Sequence, residues 1–231
     1  MNSPLPHFSM NSQEIADDEI IDKEPNRDPS MIIASSSEKP RPAKEKFSLL
    51  ELLKDFRALP APVIRTLFKK IVIEVSKLHL QGNYHGDLSL ENIYFDQGYE
   101  VTLSKQERFN ESFLDGVCMD LICLGEILFA MCFGALPYVS FEDERYTAVV
   151  KGEWDLFWTI NEETLNMEKR GLNLLKSGLK DLVSIFLAGK SKSKHDLLHL
   201  LNHEWMKGAT LTTKQVQTLL DEVRKKMQKV F

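Results

Sequence analysis

The stretch His85-Gly86-Asp87-Leu88-Ser89-Leu90-Glu91-Asn92 decides how this chain is read. It sets a histidine, an acid and an amide in the spacing His-x-Asp-x-x-x-x-Asn, between two segments of different periodicity. Upstream, Ile64, Leu67, Phe68, Ile71, Val72, Val75 and Leu78 recur at steps of three and four. That spacing predicts a helix of about five turns, with Pro62 in its first turn and Gly82 as its stop. Downstream, Ile93-Tyr94-Phe95 and Val101-Thr102-Leu103 flank Asp96-Gln97-Gly98 and predict a small β-hairpin. The polar run is therefore a loop between a long helix and a hairpin.

Working outward, Ser48 to Arg57 places Leu49, Leu52, Leu53 and Phe56 on one helical face, before Pro60. The most apolar segment, Leu121 to Leu136, is interrupted by Glu126 and is shorter than the roughly 18–20 residues of a membrane span. It predicts a core helix from about Asp120 to Cys132, ended by Gly134 and Pro137. Further helices are expected around Glu162–Met167, Gly178–Leu187 and Lys194–Leu201. From Thr212 to Phe231 the apolar residues Val216, Leu219, Leu220, Val223, Met227 and Val230 form one stripe, capped by Thr212 or Thr213. This tail helix is expected to dock on its own lobe rather than recruit a partner helix.

Residues 1–46 hold six of the nine prolines, the triplet Ser35 to Ser37, an acidic cluster from Glu14 to Asp28 and a single aromatic, Phe8. Such a segment buries too little apolar surface to offset its ordering entropy and is expected to be a disordered leader. The expected organisation is thus leader 1–46, a folded lobe 47–208 and an amphipathic C-terminal helix 209–231. A hydrophobic fraction of 43%, a charged fraction of 27% and a formal charge of -5 suit a soluble domain. They offer no basic stripe for nucleic acid, and no membrane association is expected. Cys118, Cys123 and Cys132 fit small buried hydrophobes in a reducing, cytoplasmic setting better than a disulfide framework. His195, His199 and His203 fall four apart, as helical metal ligands can, but no cysteine or carboxylate constellation joins them.

The loop resembles the catalytic loop of protein kinases, His-Arg-Asp-Leu-Lys-Pro-Glu-Asn, in the same helix–loop–hairpin context. Other matches follow in order. Asp120, Leu124-Gly125-Glu126-Ile127-Leu128 and Gly134-x-x-Pro137-Tyr138 resemble the central helix of the kinase large lobe. Tyr146, Gly152 and Phe157-Trp158, then Leu179-Lys180-Asp181-Leu182-Val183 and Leu200-Leu201-Asn202-His203-Glu204-Trp205-Met206, resemble the calcium/calmodulin-dependent kinase group. The likeness covers Ser48 to Lys207. It implies a mainly α fold: a protein-kinase-like large lobe with one small β-hairpin, the small lobe missing. Nothing before Phe47 offers a glycine-rich loop or a strand lysine.

The resemblance also assigns positions. Asp87 stands at the catalytic base, His85 at a buried histidine supporting the loop, and Asn92 at a metal ligand. Tyr94 stands at the floor of the nucleotide pocket. Gly86 replaces the arginine that holds a phosphorylated activation loop, and Ser89 replaces the lysine that steadies the transferred phosphate. Lys105, in Lys105-Gln106-Glu107, falls at the metal-binding aspartate, which reverses the charge there. Two like charges about 4 Å apart cost about 1 kcal/mol in water and several times that in a partly buried cleft. Asp120 follows Glu107 by only thirteen positions with no Ala-Pro-Glu between them, and the arginine that pairs with that glutamate is matched by Lys194.

Phosphoryl transfer needs base, metals and cation together. The expectation is therefore a pseudokinase that binds proteins, its partner a kinase or a chain supplying a small lobe, with no cofactor. The alternative is an active serine/threonine kinase of divergent or truncated form, using ATP and Mg²⁺. A truncated product without function is the third reading.

Overall fold

The computed structural model describes residues 46–56, 59–104, 112–165, 178–190 and 196–228. Its first element is made by one serine. Ser48 Oγ accepts the Glu51 amide at 3.1 Å while Glu51 Oε2 accepts the Ser48 amide at 2.7 Å, a reciprocal cap that starts helix α1, Leu49–Asp55. The same serine closes strand β1, Phe47–Ser48. Helix α2, Ala61–Leu80, starts with proline at its N-terminus and buries Ile64, Leu67, Phe68, Ile71, Val72 and Val75 of the predicted stripe, while its last member, Leu78, is half-buried. Strands β2, Ile93–Phe95, and β3, Val101–Leu103, form the predicted hairpin.

The sheet has one strand more than the single hairpin expected. β1 pairs antiparallel with β2, Phe47 opposite Phe95 and Ser48 opposite Tyr94, giving the order β1-β2-β3. Two residues carry no alternation to read, so only the pairing reveals this strand.

The remaining elements are helices: α3 Phe113–Phe133, α4 Glu144–Lys151, α5 Trp154–Leu165, α6 Leu179–Leu187, α7 Asp196–Leu200, a 3-10 turn Glu204–Lys207, and α8 Thr213–Gln228. Three differ from expectation. α3 begins seven residues before Asp120, because Ser112 accepts the Asp115 amide and caps a first turn ahead of the apolar run. Gly116 leaves room for Tyr84, whose ring would lie 2.3 Å from a Cβ there. α4 was not expected as a helix. α5 replaces the helix expected at Glu162–Met167, ending at Leu165; Met167 lies outside the described residues, as do the leader through residue 45, Lys194 and Val230.

Helix α3 is the pillar. It is long and apolar enough to cross a membrane by length and composition, with a mean hydropathy of 2.0, but 72% of that window is buried inside the fold. Its neighbours are α2 and α6. Contact with α6 is close: a Cβ on Gly125 would sit 2.9 Å from the Leu187 backbone nitrogen. Phe68 and Phe186 meet edge to face at 5.5 Å, and Phe129 stacks on Trp158 at 6.0 Å, so aromatic rings fill the spaces between helices.

Helix α8 docks on the lobe, as expected. Thr212 caps it, with its hydroxyl and amide both bonded to Gln215. Val216 and Leu220 are buried, Tyr99 Oη donates to Gln217 at 3.0 Å, Thr213 Oγ1 donates to the Gly98 carbonyl, and Arg224 lies over the Phe56 ring. Tyr99 itself has φ +57°, left-handed backbone that a bulky residue rarely adopts.

The loop into α4 is held by a charged knot. Asp143 caps α4 through the Arg145 amide, accepts the Val139 amide at 3.0 Å, and pairs with the Arg145 guanidinium at 2.5 Å. Arg145 Nη1 reaches Asn161 on α5. Burial works against the Asp143 charge, but these donors outweigh it and hold the carboxyl below the ordinary aspartate range. Because the folded pKa is depressed, this contribution to stability is complete above the ordinary aspartate range. It is lost as pH falls through that range to the folded value. Asp143→Asn should lower stability at neutral pH and flatten the acid limb of a urea midpoint-versus-pH curve. Separately, Gly125→Ala should cost about 1–3 kcal/mol by overpacking α3 on α6, read as a lower urea midpoint with unchanged slope.

Candidate functional site

The loop 85–92 takes its shape from a buried carboxylate on α3. Asp120, fully buried, accepts the His85 amide at Oδ2 (2.8 Å) and the Gly86 amide at Oδ1 (2.9 Å). His79 Nε2, also fully buried near the end of α2, donates to Oδ2 at 2.9 Å. Three donors thus compensate one desolvated charge, the condition for a buried carboxylate to be tolerated. His79 Nδ1 has no partner among the described residues. Gly86 has φ +79°, so a residue without Cβ suits the turn that presents two successive amides to one carboxylate.

His85 is fully buried, as expected of a supporting residue. Its Nδ1 accepts the Asp87 amide at 3.3 Å, which leaves Nε2 to donate to the Ser104 carbonyl at 3.3 Å. The ring therefore ties the loop to the residue following β3. Asp87 is exposed, and Asn92 holds it: Asn92 Nδ2 donates to Asp87 Oδ2 at 2.7 Å and to the Asp87 carbonyl at 2.8 Å. The Asn92 carbonyl in turn accepts the Ser104 amide, and the Leu90 carbonyl accepts the Leu50 amide of α1. Asp87 and Asn92, the two positions that the resemblance singles out, are thereby brought side by side.

Ser89 is half-buried, and its carbonyl accepts the Asn92 amide. Tyr94 alternates with buried Ile93 and Phe95, so it faces outward from β2 between Ser48 and Thr102. Lys105, with Gln106 and Glu107, lies outside the described residues. Among the described residues no cation pairs with Asp87.

Beneath the loop, α3 presents Cys123 and Glu126. Burial, with the nearby charges of Glu126, Asp120 and Asp87, pushes the Cys123 thiol up to about 12. It is a poor nucleophile there, since the thiolate is the reactive form. Burial also raises the Glu126 carboxyl, against the hydrogen bond it accepts from Tyr138 Oη at 2.5 Å. His203, weighed as a helical metal ligand, has both ring nitrogens occupied: Nε2 pairs with Asp181 at 3.0 Å and Nδ1 accepts the Trp205 amide. His195 lies outside the described residues, and no cluster of three His, Cys, Asp or Glu forms among them.

Sequence reading found the loop but missed what holds it. His79 reads only as one more residue near a helix end, and Asp120 reads as the start of an apolar helix and a match to the kinase central helix, without its loop partners. Their pairing, 41 residues apart, exists only once α2 and α3 pack together.

What the arrangement offers chemically is one exposed carboxylate steadied by a neutral amide. A carboxylate so placed accepts a proton from a hydroxyl at hydrogen-bond reach, but charge on a transferred phosphate needs cations as well. No known protein-family model matches this chain. Asp120→Ala should unpair two loop amides and His79 at once, costing about 3 kcal/mol or more by urea unfolding. Asp87→Ala, at an exposed position, should change stability by less than about 1 kcal/mol.

Proposed function

We propose that this chain is a protein-kinase-like large lobe, impaired in phosphoryl transfer, that works as a protein-binding or regulatory module. The observation that carries the reading is the separation of shape from charge at loop 85–92. Backbone amides of His85 and Gly86 on Asp120, and Asn92 on Asp87, keep the loop in form. The residue types that would complete the reaction are replaced: serine at 89, and in the sequence a lysine at 105 where the resemblance calls for a metal-binding aspartate. Asp87 with neither metal nor cation contributes little, because positioning and charge stabilisation supply most of the rate in this chemistry.

Further support comes from the order of elements. A long helix, the His-x-Asp loop, a hairpin, a buried pillar helix and a peripheral run of helices follow one another as the resemblance predicts. No cofactor is assigned on this reading, and the partner is a protein, such as a kinase or a chain supplying a small lobe.

A thermal melt of the purified chain with and without ATP, each with and without Mg²⁺, tests it. A ligand at a hundred times its dissociation constant stabilises by about 2.7 kcal/mol, several degrees for a domain of this size. The expected result is a cooperative melt that neither nucleotide nor metal moves. A Mg²⁺-dependent shift, together with phosphate transfer that Asp87→Asn abolishes, would replace this reading with an active serine/threonine kinase.

A further inference from the structure

The described surface carries one large aromatic side chain standing almost free. Phe141 is 81% exposed, in the loop before α4, and its neighbours Val139 and Val150 are 51% and 50% exposed. They are parts of one patch. The Phe141 ring meets Tyr146 edge to face at 5.1 Å, Tyr146 meets Tyr138 at 5.2 Å, and Val150 lies one turn beyond Tyr146 on the same face of α4. The loop is not loose: the Val139 amide is fixed by Asp143, whose pairing with Arg145 and through it Asn161 anchors the patch to α5. A hydrophobic ridge presented on a hydrogen-bonded frame loses little entropy when it is covered.

Its electrostatic setting has a sign. Residues 139–163 hold seven Asp and Glu against two basic residues, Arg145 and Lys151, and Lys180 of α6 pairs with Glu162, which leaves a local charge of -4. Arg145 is nearly buried and bound to Asp143. Glu142 and Glu144 are exposed beside Phe141. Past the end of α4, a shallow depression of about 530 Å³ is lined by Glu153, Trp154, Asp155 and Leu156. An exposed apolar ridge with an acidic rim repels acidic partners and favours a segment carrying its own apolar stripe between lysines or arginines.

We propose that the 139–150 surface docks a basic amphipathic segment of a partner protein, Phe141 being the anchor and Glu142 and Glu144 the charged rim. This site is distinct from loop 85–92, and the inference holds whether or not that loop is catalytic, so nucleotide melts and peptide binding fail independently.

The test is fluorescence anisotropy of the full chain with a labelled synthetic Leu/Lys amphipathic helix and its Leu/Glu counterpart, in low and high salt. Saturable binding of the Leu/Lys helix alone is expected, weakened by salt. Phe141→Ser should weaken it about tenfold or more, and Glu142→Lys with Glu144→Lys should transfer preference to the Leu/Glu helix. Circular dichroism melts check that each variant stays folded, which exposure at these positions favours. No binding, equal binding of both peptides, or indifference to Phe141→Ser overturns the proposal. Two further outcomes also overturn it by naming another occupant. One is a concentration-dependent dimer in sedimentation that Phe141→Ser dissolves. The other is a photo-crosslinker at position 141 that captures the chain's own basic residues 38–46.

Discussion

A single buried carboxylate organises the loop that forms the candidate site. Asp120 is expensive to desolvate, and its cost is met only if α2 delivers His79 and the loop delivers two amides in the correct geometry. The helix–helix packing and the loop conformation are therefore mutually conditional. α3 must be buried to carry Asp120 inside, and once inside, Asp120 leaves the loop few alternatives. The close approach of α3 to α6 at Gly125 and Leu187 fixes the opposite side of the same pillar.

The parts of the fold legible in the sequence were those with a period or a punctuation mark. α2 and α8 show stripes, the hairpin shows two apolar triplets around Asp96-Gln97-Gly98, and α6 appears almost at its observed limits. What escaped was decided by distant contacts. β1 exists because Phe95 and Tyr94 lie beside it, and α3 starts before its apolar run because Ser112 caps it, with Gly116 leaving space for the Tyr84 ring. α4 depends on a charged cap, Asp143, more than on an apolar stripe. At the site, Asp87 and Asn92 were legible from spacing and do meet. His79 was not, since a buried histidine whose partner is an acid 41 residues away leaves no local trace.

Buried charge is handled in two ways in this chain. Asp120 is satisfied by main-chain and imidazole donors, while Asp143 is satisfied by a guanidinium and two amides at the surface of the fold. The first arrangement defines a loop, the second a helix start and the ridge beside it. Glu126 has only Tyr138 to meet it among the described residues, and burial accordingly lifts its carboxyl above the usual range. The different fates of three carboxylates follow from how many donors the surrounding backbone brings to each.

The left-handed backbone at Tyr99 bears on how the molecule breathes. A non-glycine residue in that region costs on the order of 1–3 kcal/mol, and it persists where its surroundings over-determine it. Here those surroundings include Gln217 on the phenol, Lys70 on the carbonyl, and the Phe47 ring edge to face. Once α8 lifts away, the hairpin tip loses part of what confines it and gains a reason to relax. Undocking of the tail and loosening of the tip then become a single step. Their amides are therefore expected to exchange together, at an opening free energy below that of global unfolding.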